Sequence, residues 1–383
     1  MAIIEVKDLV KTYKIIEKED GLVGYFKNLI RPKYKELTAV NHINFEIQKG
    51  ELVGYIGENG AGKSTTIKML TGLLTPTSGE IVVNGLVPNE KRIQNNKNIG
   101  AVFGQKTQLW WDLPVIESFR LIKKMFKIPE NEYRKNLKRF TEILDLEDLL
   151  DKQVKNLSLG QKMRCEIAAT FLHNPKIVYL DEPTIGLDVF VKENIRKFIK
   201  EINKEKKTTV ILTTHDLKDI EDVCDRIILL DRGQIIYDGE KQKFKDIYGK
   251  YTLAELIVSS KNLSIKDKLK SNNFEIIEEN ENKMKIKFKH DETTIVKIMN
   301  DISEYCVIED IHMRESELED ILKEIRWYLE EHPGITSYAI IDYKMQTTGG
   351  KIGWYLHKNK KEIIKMSDEN SDAKYICDYF GWN

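Results

Sequence analysis

The sequence predicts an α/β fold on a parallel or mixed sheet. Three observations carry this: strands alternate with helices, one strand-helix junction is rich in glycine, and another apolar strand ends in two carboxylates. Ile3 to Val6 and Ile43 to Ile47 read as strands, separated by an inserted segment, about residues 15–36, that lacks a sheet pattern. Leu52 to Leu70 gives strand, glycine loop and helix, and the same rhythm recurs from Ile177 through Ile202 to the strand Thr209 to Thr213. Between these halves, Leu113 to Phe171 follows helical periodicity, with Phe119, Ile122, Met125 and Phe126 on one face and Leu137, Phe140, Ile143 and Leu144 on another. After Gly239 the pattern changes to shorter units, including an alternating run, Lys285 to Phe288, and a helical one, Ile295 to Ile302. Tyr338 to Ile341 and Ile352 to Leu356 read as strands joined by the turn-rich stretch Thr347 to Lys351. The expected organisation is a first domain over about residues 1–243, with a helical subdomain near 106–170, then a small α/β domain over about 244–326. A further unit over 327–383 holds Trp327, Trp354 and Trp382.

Composition narrows the functional classes. The chain has 383 residues, 32% of them charged, and its 61 basic and 61 acidic side chains cancel. That balance gives no electrostatic reason to expect a nucleic-acid partner. The apolar runs are short, Ile227 to Leu230 for example, whereas a membrane-spanning helix needs roughly 20 such residues. Met1 to Val10 alternates apolar and charged residues, without the pattern of a signal peptide, so a cytoplasmic location is expected. Cys165, Cys224, Cys306 and Cys377 are scattered, which reads as reduced structural thiols and not as a zinc site.

Two motifs carry chemistry. Gly57, Glu58, Asn59, Gly60, Ala61, Gly62, Lys63 and Ser64 match G-x-x-x-x-G-K-[ST], between the apolar strand Leu52 to Ile56 and a helix running from Thr65 to Leu70. Glycines let successive backbone N–H groups turn toward phosphate oxygens, and the helix aims its positive end at them. In such a loop Lys63 meets the β- and γ-phosphates and Ser64 ligates Mg²⁺. The second motif is the run Ile177-Val178-Tyr179-Leu180-Asp181-Glu182, a buried strand with charge at its tip, where ligands of parallel sheets sit. Asp181 is placed to serve the metal, and Glu182 to orient and polarise the attacking water.

A third motif lies between these two. Leu157-Ser158-Leu159-Gly160-Gln161 resembles the L-S-G-G-Q signature of the ATP-binding cassette (ABC) ATPases, with Leu159 replacing the first glycine. Ser158 is expected to cap a helix bearing Met163, Ile167 and Phe171. The resemblance covers about residues 1–243 and implies the ABC cassette form of the P-loop fold, with ATP and Mg²⁺ as ligands. It implies that Gln105, after the strand Ile99 to Phe103 and an extra Gly104, reaches the metal and the water. It also implies that His215 contacts the γ-phosphate, that Tyr13 stacks on adenine, and that Ile185-Gly186-Leu187-Asp188 crosses a dimer interface. On this resemblance Ser158, Gly160 and Gln161 contact the nucleotide held by Lys63, Ser64 and Thr65 of the opposite subunit, and two chains enclose two ATP molecules.

The implied function is that of the ATPase subunit of an ABC-2-type exporter. It would work as a homodimer or pseudo-dimer at the cytoplasmic face of the membrane beneath a separate transmembrane permease. The alternative is a soluble ABC ATPase that remodels a non-membrane partner. Trp110 and Trp111, side by side after Gln105, form either part of the permease socket or part of the helical core. In the insert, Leu22, Phe26, Leu29 and Ile30 share a helical face beside Lys27, Arg31, Lys33 and Lys35, which suits either a short membrane-surface or partner-binding helix or an excursion packed on its own sheet. About residues 244–326 resemble the C-terminal appendage of exporter ATPases, for which a regulatory or dimer-supporting role is expected.

Overall fold

The computed structural model describes residues 2–16, 34–104, 106–214, 216–248, 251–259, 265, 274–289, 293–315 and 320–321. The chain divides into one compact unit over Met1–Lys241 and a second from Gln242 onward. In the first unit the elements run β1 (Ala2–Ile16), β2 (Tyr34–Gln48), β3 (Leu52–Gly57), α1 (Lys63–Leu70), β4 (Ser78–Val83), α2 (Arg92–Asn96), β5 (Ile99–Phe103), α3 (Val115–Phe126) and α4 (Glu130–Leu144). There follow α5 (Leu159–Phe171), β6 (Ile177–Asp181), α6 (Val189–Lys206), β7 (Thr209–Thr213), α7 (Leu217–Val223), β8 (Arg226–Asp231) and β9 (Gln234–Glu240).

Six strands form the central sheet in the order β5-β6-β7-β3-β8-β9, parallel except for β9, which returns antiparallel beside β8. The inner strands are buried on both faces, which is why β3, β6 and β7 read as continuous apolar runs. Parallel register brings the carboxyl ends of β3, β6 and β7 to one edge: Asp181 is level with Thr213, and Gly57 with Leu230. That edge carries the candidate site.

A second, antiparallel sheet has the order β2-β1-β4. It differs from expectation at the insert, because pairing continues to Ile16↔Tyr34 and so takes in both ends of the segment expected to lack sheet. Tyr34 to Thr38 are exposed in this ribbon. With no buried face, the strand leaves no apolar alternation in the sequence. Leu22, Phe26, Leu29 and Ile30 lie outside the described residues.

The helices α3, α4 and α5 pack beside the sheet. Phe198 of α6 meets Phe140 of α4 and Phe171 of α5 edge-on, with ring centroids 5.0 and 5.2 Å away. Arg164 of α5 donates to the carbonyls of Leu144 and Asp145 at 2.9 and 2.7 Å, satisfying the orphan acceptors at the end of α4. His173 stacks on Phe126 at 3.9 Å, and its Nε2 donates to the Ile99 carbonyl of β5 at 3.0 Å. Burial pushes the His173 imidazole down to a pKa of about 4, opposed by that hydrogen bond.

From α8 (Lys241–Tyr248), which begins at the last residue of the first unit, the chain enters the second unit, with β10 (Thr252–Ser259), β11 (Phe274–Glu279), β12 (Lys283–Phe288), α9 (Ile295–Ser303) and β13 (Val307–Glu315). Its strands form an antiparallel sheet in the order β11-β12-β10-β13. Ile298 and Ile302 of α9 join Leu256, Met284 and Ile286 in a separate core. Trp327, Trp354 and Trp382, with the rest of 327–383, lie outside the described residues.

Candidate functional site

The phosphate loop follows from backbone geometry. Gly62 closes it at φ 103°, and a Cβ there would lie 2.4 Å from the Ala39 carbonyl oxygen, so no other residue fits without moving β2. Gly57 is confined in the same way by the Leu230 carbonyl, also 2.4 Å from where a Cβ would stand. Glu58, Asn59 and Gly60 form an exposed rim, whereas Ala61, Gly62 and Lys63 are buried at its base. The Ala61 N–H donates to Glu58 O at 3.1 Å, closing the turn. Helix α1 then begins at Lys63, with Ser64 and Thr65 in its first turn. The N–H groups there have no intrahelical acceptor, so the loop is a ready anion cradle.

Lys63 is 6% exposed, and its ammonium donates to the carbonyls of Gly57 and Glu58 at 2.6 and 2.9 Å. Burial lowers its pKa, while Glu182, Asp181 and Glu58 pull it back up. A buried cation folded over its own loop fits an anion that would replace those two carbonyls.

Asp181 ends β6 and collects hydroxyls. Thr213 of β7 donates to its Oδ1 at 2.5 Å and Ser64 to the same oxygen at 3.3 Å. A carboxylate and hydroxyl oxygens on rigid elements are the hard donor set that suits Mg²⁺. Glu182 follows at φ 56°, a left-handed conformation costing on the order of 1–3 kcal/mol for a residue with a side chain. Its N–H is anchored on Thr213 O at 2.9 Å, which turns the chain sharply away from the strand at the residue expected to handle water. Gln105 and His215 lie outside the described residues; the Gly104 N–H donates to Asp181 O at 2.8 Å, and β7 ends at Thr213.

At the signature, Ser158 caps α5. Its Oγ accepts from the Gln161 N–H at 3.2 Å, and its own N–H donates to Gln161 Oε1 at 3.0 Å, a reciprocal capping box. Leu159 occupies the first turn, 44% exposed, with a methyl group 3.2 Å from where a Cβ on Gly186 would lie. Gly160 faces Val191, whose Cγ2 would be 3.4 Å from a Cβ there. Asp188 caps α6 through Val191 at 3.0 Å, so the signature and the Ile185–Asp188 turn pack together within one chain. Around them Ile185, Val189 and Phe190 are 42%, 70% and 80% exposed.

Tyr13 sits in β1 opposite Leu37, two residues from Ala39 beside Gly62, and the Lys11 ammonium lies 5.4 Å from its ring centroid. Trp110 and Trp111 are 38% and 51% exposed, which sets aside their burial in the helical core; Lys162 of α5 lies 4.1 Å over the Trp111 ring. The sequence reading missed Glu166, a buried carboxylate on α5. It accepts from the Thr107 hydroxyl and from the N–H groups of Gln108 and Leu109, at 2.9 and 3.4 Å for the last two, tying the segment after Gln105 to the signature helix. Burial raises its pKa, and these donors hold it down. An acid at a core position of an amphipathic helix was the available signal.

The comparisons with known proteins agree with this geometry. Residues 40–185 match the family model described as ABC transporter. The ABC transporter ATP-binding protein NatA of Bacillus subtilis is 31% identical over 207 residues, 54% of this chain and 84% of that protein. The linearmycin resistance ATP-binding protein LnrL of the same organism is 35% identical over 233 residues, 61% of this chain and 74% of that one. Among solved structures, the dimeric ATP-binding cassette MJ0796, in a post-hydrolysis state bound to ADP and Pi, is similar with a TM-score of 0.52 at 27% identity, covering 62% of this chain and 98% of that one. A phosphate loop, an acidic strand tip and a capped signature helix on one α/β scaffold thus meet relatives matched over most of their length: the chain belongs to the ABC transporter ATP-binding family and is an ATPase.

Proposed function

We propose that this chain is the ATP-hydrolysing subunit of an ABC-2-type exporter, pairing with a second ATPase subunit around two ATP molecules and driving a separate transmembrane permease. The observation that carries the pairing is the exposed apolar cluster of Leu159, Ile185, Val189 and Phe190 beside Ser158, a surface that one chain leaves open to water. The γ-phosphate held at Lys63 of one copy would meet the capped helix end and hydroxyl of Ser158, with Gly160 and Gln161, from the other. Mg²⁺, held through Ser64 and Asp181 with Gln105 nearby, would neutralise phosphate charge. Glu182 orients the attacking water, His215 holds the γ-phosphate side, and Lys63 stabilises charge on the transferring group. Loss of the terminal phosphate removes the shared contact and lets the pair open.

Export is supported by the relative named for linearmycin resistance, and by the second unit in the position of the exporter appendage. No helix among the described residues is long and apolar enough to cross a membrane; on this reading a separate partner spans it. Trp110 and Trp111, exposed and braced through Lys162 and Glu166 on α5, suit the surface that receives the partner, and exposed tryptophans are favoured interface anchors. This arrangement puts the chain at the cytoplasmic face of the membrane.

The test is affinity purification of the tagged full chain from detergent-solubilised native membranes. A polytopic membrane protein should co-purify, and Trp110→Ala with Trp111→Ala should release it while ATP binding persists. Recovery with a soluble partner alone would replace the exporter by a remodelling ATPase.

A further inference from the structure

Behind the acidic strand tip lies a buried ionic cluster that the phosphate chemistry does not use. Asp219 of α7 is completely buried. Its Oδ1 accepts from Arg196 Nε of α6 at 2.6 Å; Oδ2 accepts from the Thr184 hydroxyl and from Thr214 Oγ1, the latter at 3.1 Å. Thr184 follows Glu182 by two residues across Pro183, and Thr214 immediately precedes His215. One carboxylate therefore ties the turn leaving Glu182 to the turn leading into His215. Arg196 reaches further, to Asp222 at 3.2 Å and to Asp216 at 3.7 Å, and Asp216 also pairs with Lys192 at 2.6 Å. The Thr214 hydroxyl accepts from the Asp216 N–H at 3.0 Å, so both residues flanking His215 belong to the cluster.

We infer that Asp219 is a positioning residue for hydrolysis: it ties the turn after the water-handling Glu182 to Thr214, the residue that leads to His215, and Arg196 keeps its charge balanced. The inference rests on the proposed roles of those two residues. The physical reason is that Glu182 stands at a strained φ of 56°, which must be held by its surroundings, and the Thr184 hydroxyl on Asp219 supplies a tether two residues away. A buried carboxylate shared by two hydroxyls and a guanidinium has one low-energy arrangement, whereas solvated partners would have many.

The experiment is steady-state Mg-ATP hydrolysis by the full chain, with ATP binding and thermal unfolding measured on the same samples. Asp219→Asn strips the partner of a buried guanidinium and can unfold the chain, so the deciding variants are Thr184→Val and Thr214→Val, which remove one hydroxyl each and leave the ion pair. Each is expected to lower kcat about tenfold or more, since small misplacements of reacting groups are amplified, with KM for ATP within about twofold. The double variant should lose less than the product of the two, because both hydroxyls act through one carboxylate. Thr184→Ser, which restores the donor, should recover most of the rate. Normal kcat in both valine variants, with only a lower melting temperature, would overturn the inference. If Glu182→Gln also hydrolysed ATP at the normal rate, the fault would lie with the role given to Glu182 and not with the tether.

Discussion

The two parts of this chain proposed to face phosphate are built on opposite plans. At the strand tips, Ser64 and Thr213 donate to Asp181 while Lys63 donates to the carbonyls of Gly57 and Glu58, all within one chain, and the base of the loop, Ala61 to Lys63, is buried. At the signature, the Ser158 hydroxyl accepts from the Gln161 N–H within its own helix, and its neighbours Leu159, Val189 and Phe190 face water. On the proposed reading the first is complete within one copy, whereas the second is an exposed surface that needs another body to act on. On the proposed pairing, the difference teaches that nucleotide binding and nucleotide hydrolysis should be separable: a single copy would contain what the first needs, and two copies what the second needs.

Substitutions can break that contrast at either end. The largest effect is expected from Glu182→Gln, which should lower hydrolysis between about 10² and 10⁴ fold while ATP still binds, as read by turnover against equilibrium binding. Ser158→Asp comes next. Aspartate caps a helix as well as serine, so the melting temperature should hold, but its charge opposes a phosphate. ATP-driven pairing and turnover should fall at least about tenfold, with binding to the single chain unchanged. Equal loss in binding would show that the signature belongs to the same copy's site.

Stability offers a smaller, independent contrast, because His173 lies in the helical packing and outside both phosphate ends. Its folded pKa of about 4 is depressed below the ordinary value of 6.5, so the unfolded chain takes up the proton first as pH falls. The stability it contributes is complete above pH 6.5 and declines toward pH 4, by about 2 kcal/mol between pH 7 and pH 5. His173→Gln should flatten that slope in urea titrations at the two pH values without altering turnover at pH 7. The smallest change is expected from Leu159→Gly, which lowers helix propensity in the first turn of α5 by about 1 kcal/mol and uncovers Gly186. Turnover within about threefold of normal would mark the leucine as a tolerated replacement for glycine at the signature.

Much of the fold is legible in the sequence because the inner strands are buried on both faces and the helices on one, giving each its own period. The loop glycines are legible for a similar reason: Gly62 stands where no side chain fits. What the sequence hides are groups whose surroundings invert their usual meaning. Asp219 looks like an ordinary solvated helix acid, yet it is buried and bonded to Thr184, 35 residues away in sequence. Thr213 gives no motif, although it donates directly to Asp181. The pairing of Ile15 and Ile16 with Lys35 and Tyr34 leaves no sequence signal because an exposed strand needs no apolar face.

The most direct measurement of the central claim is light scattering of the Glu182→Gln full chain with Mg-ATP, coupled to a count of bound nucleotide. A particle of two chains holding two ATP, lost when Ser158→Asp is added, is the predicted result. A stable single chain saturated with ATP, or a pair indifferent to Ser158, would contradict it.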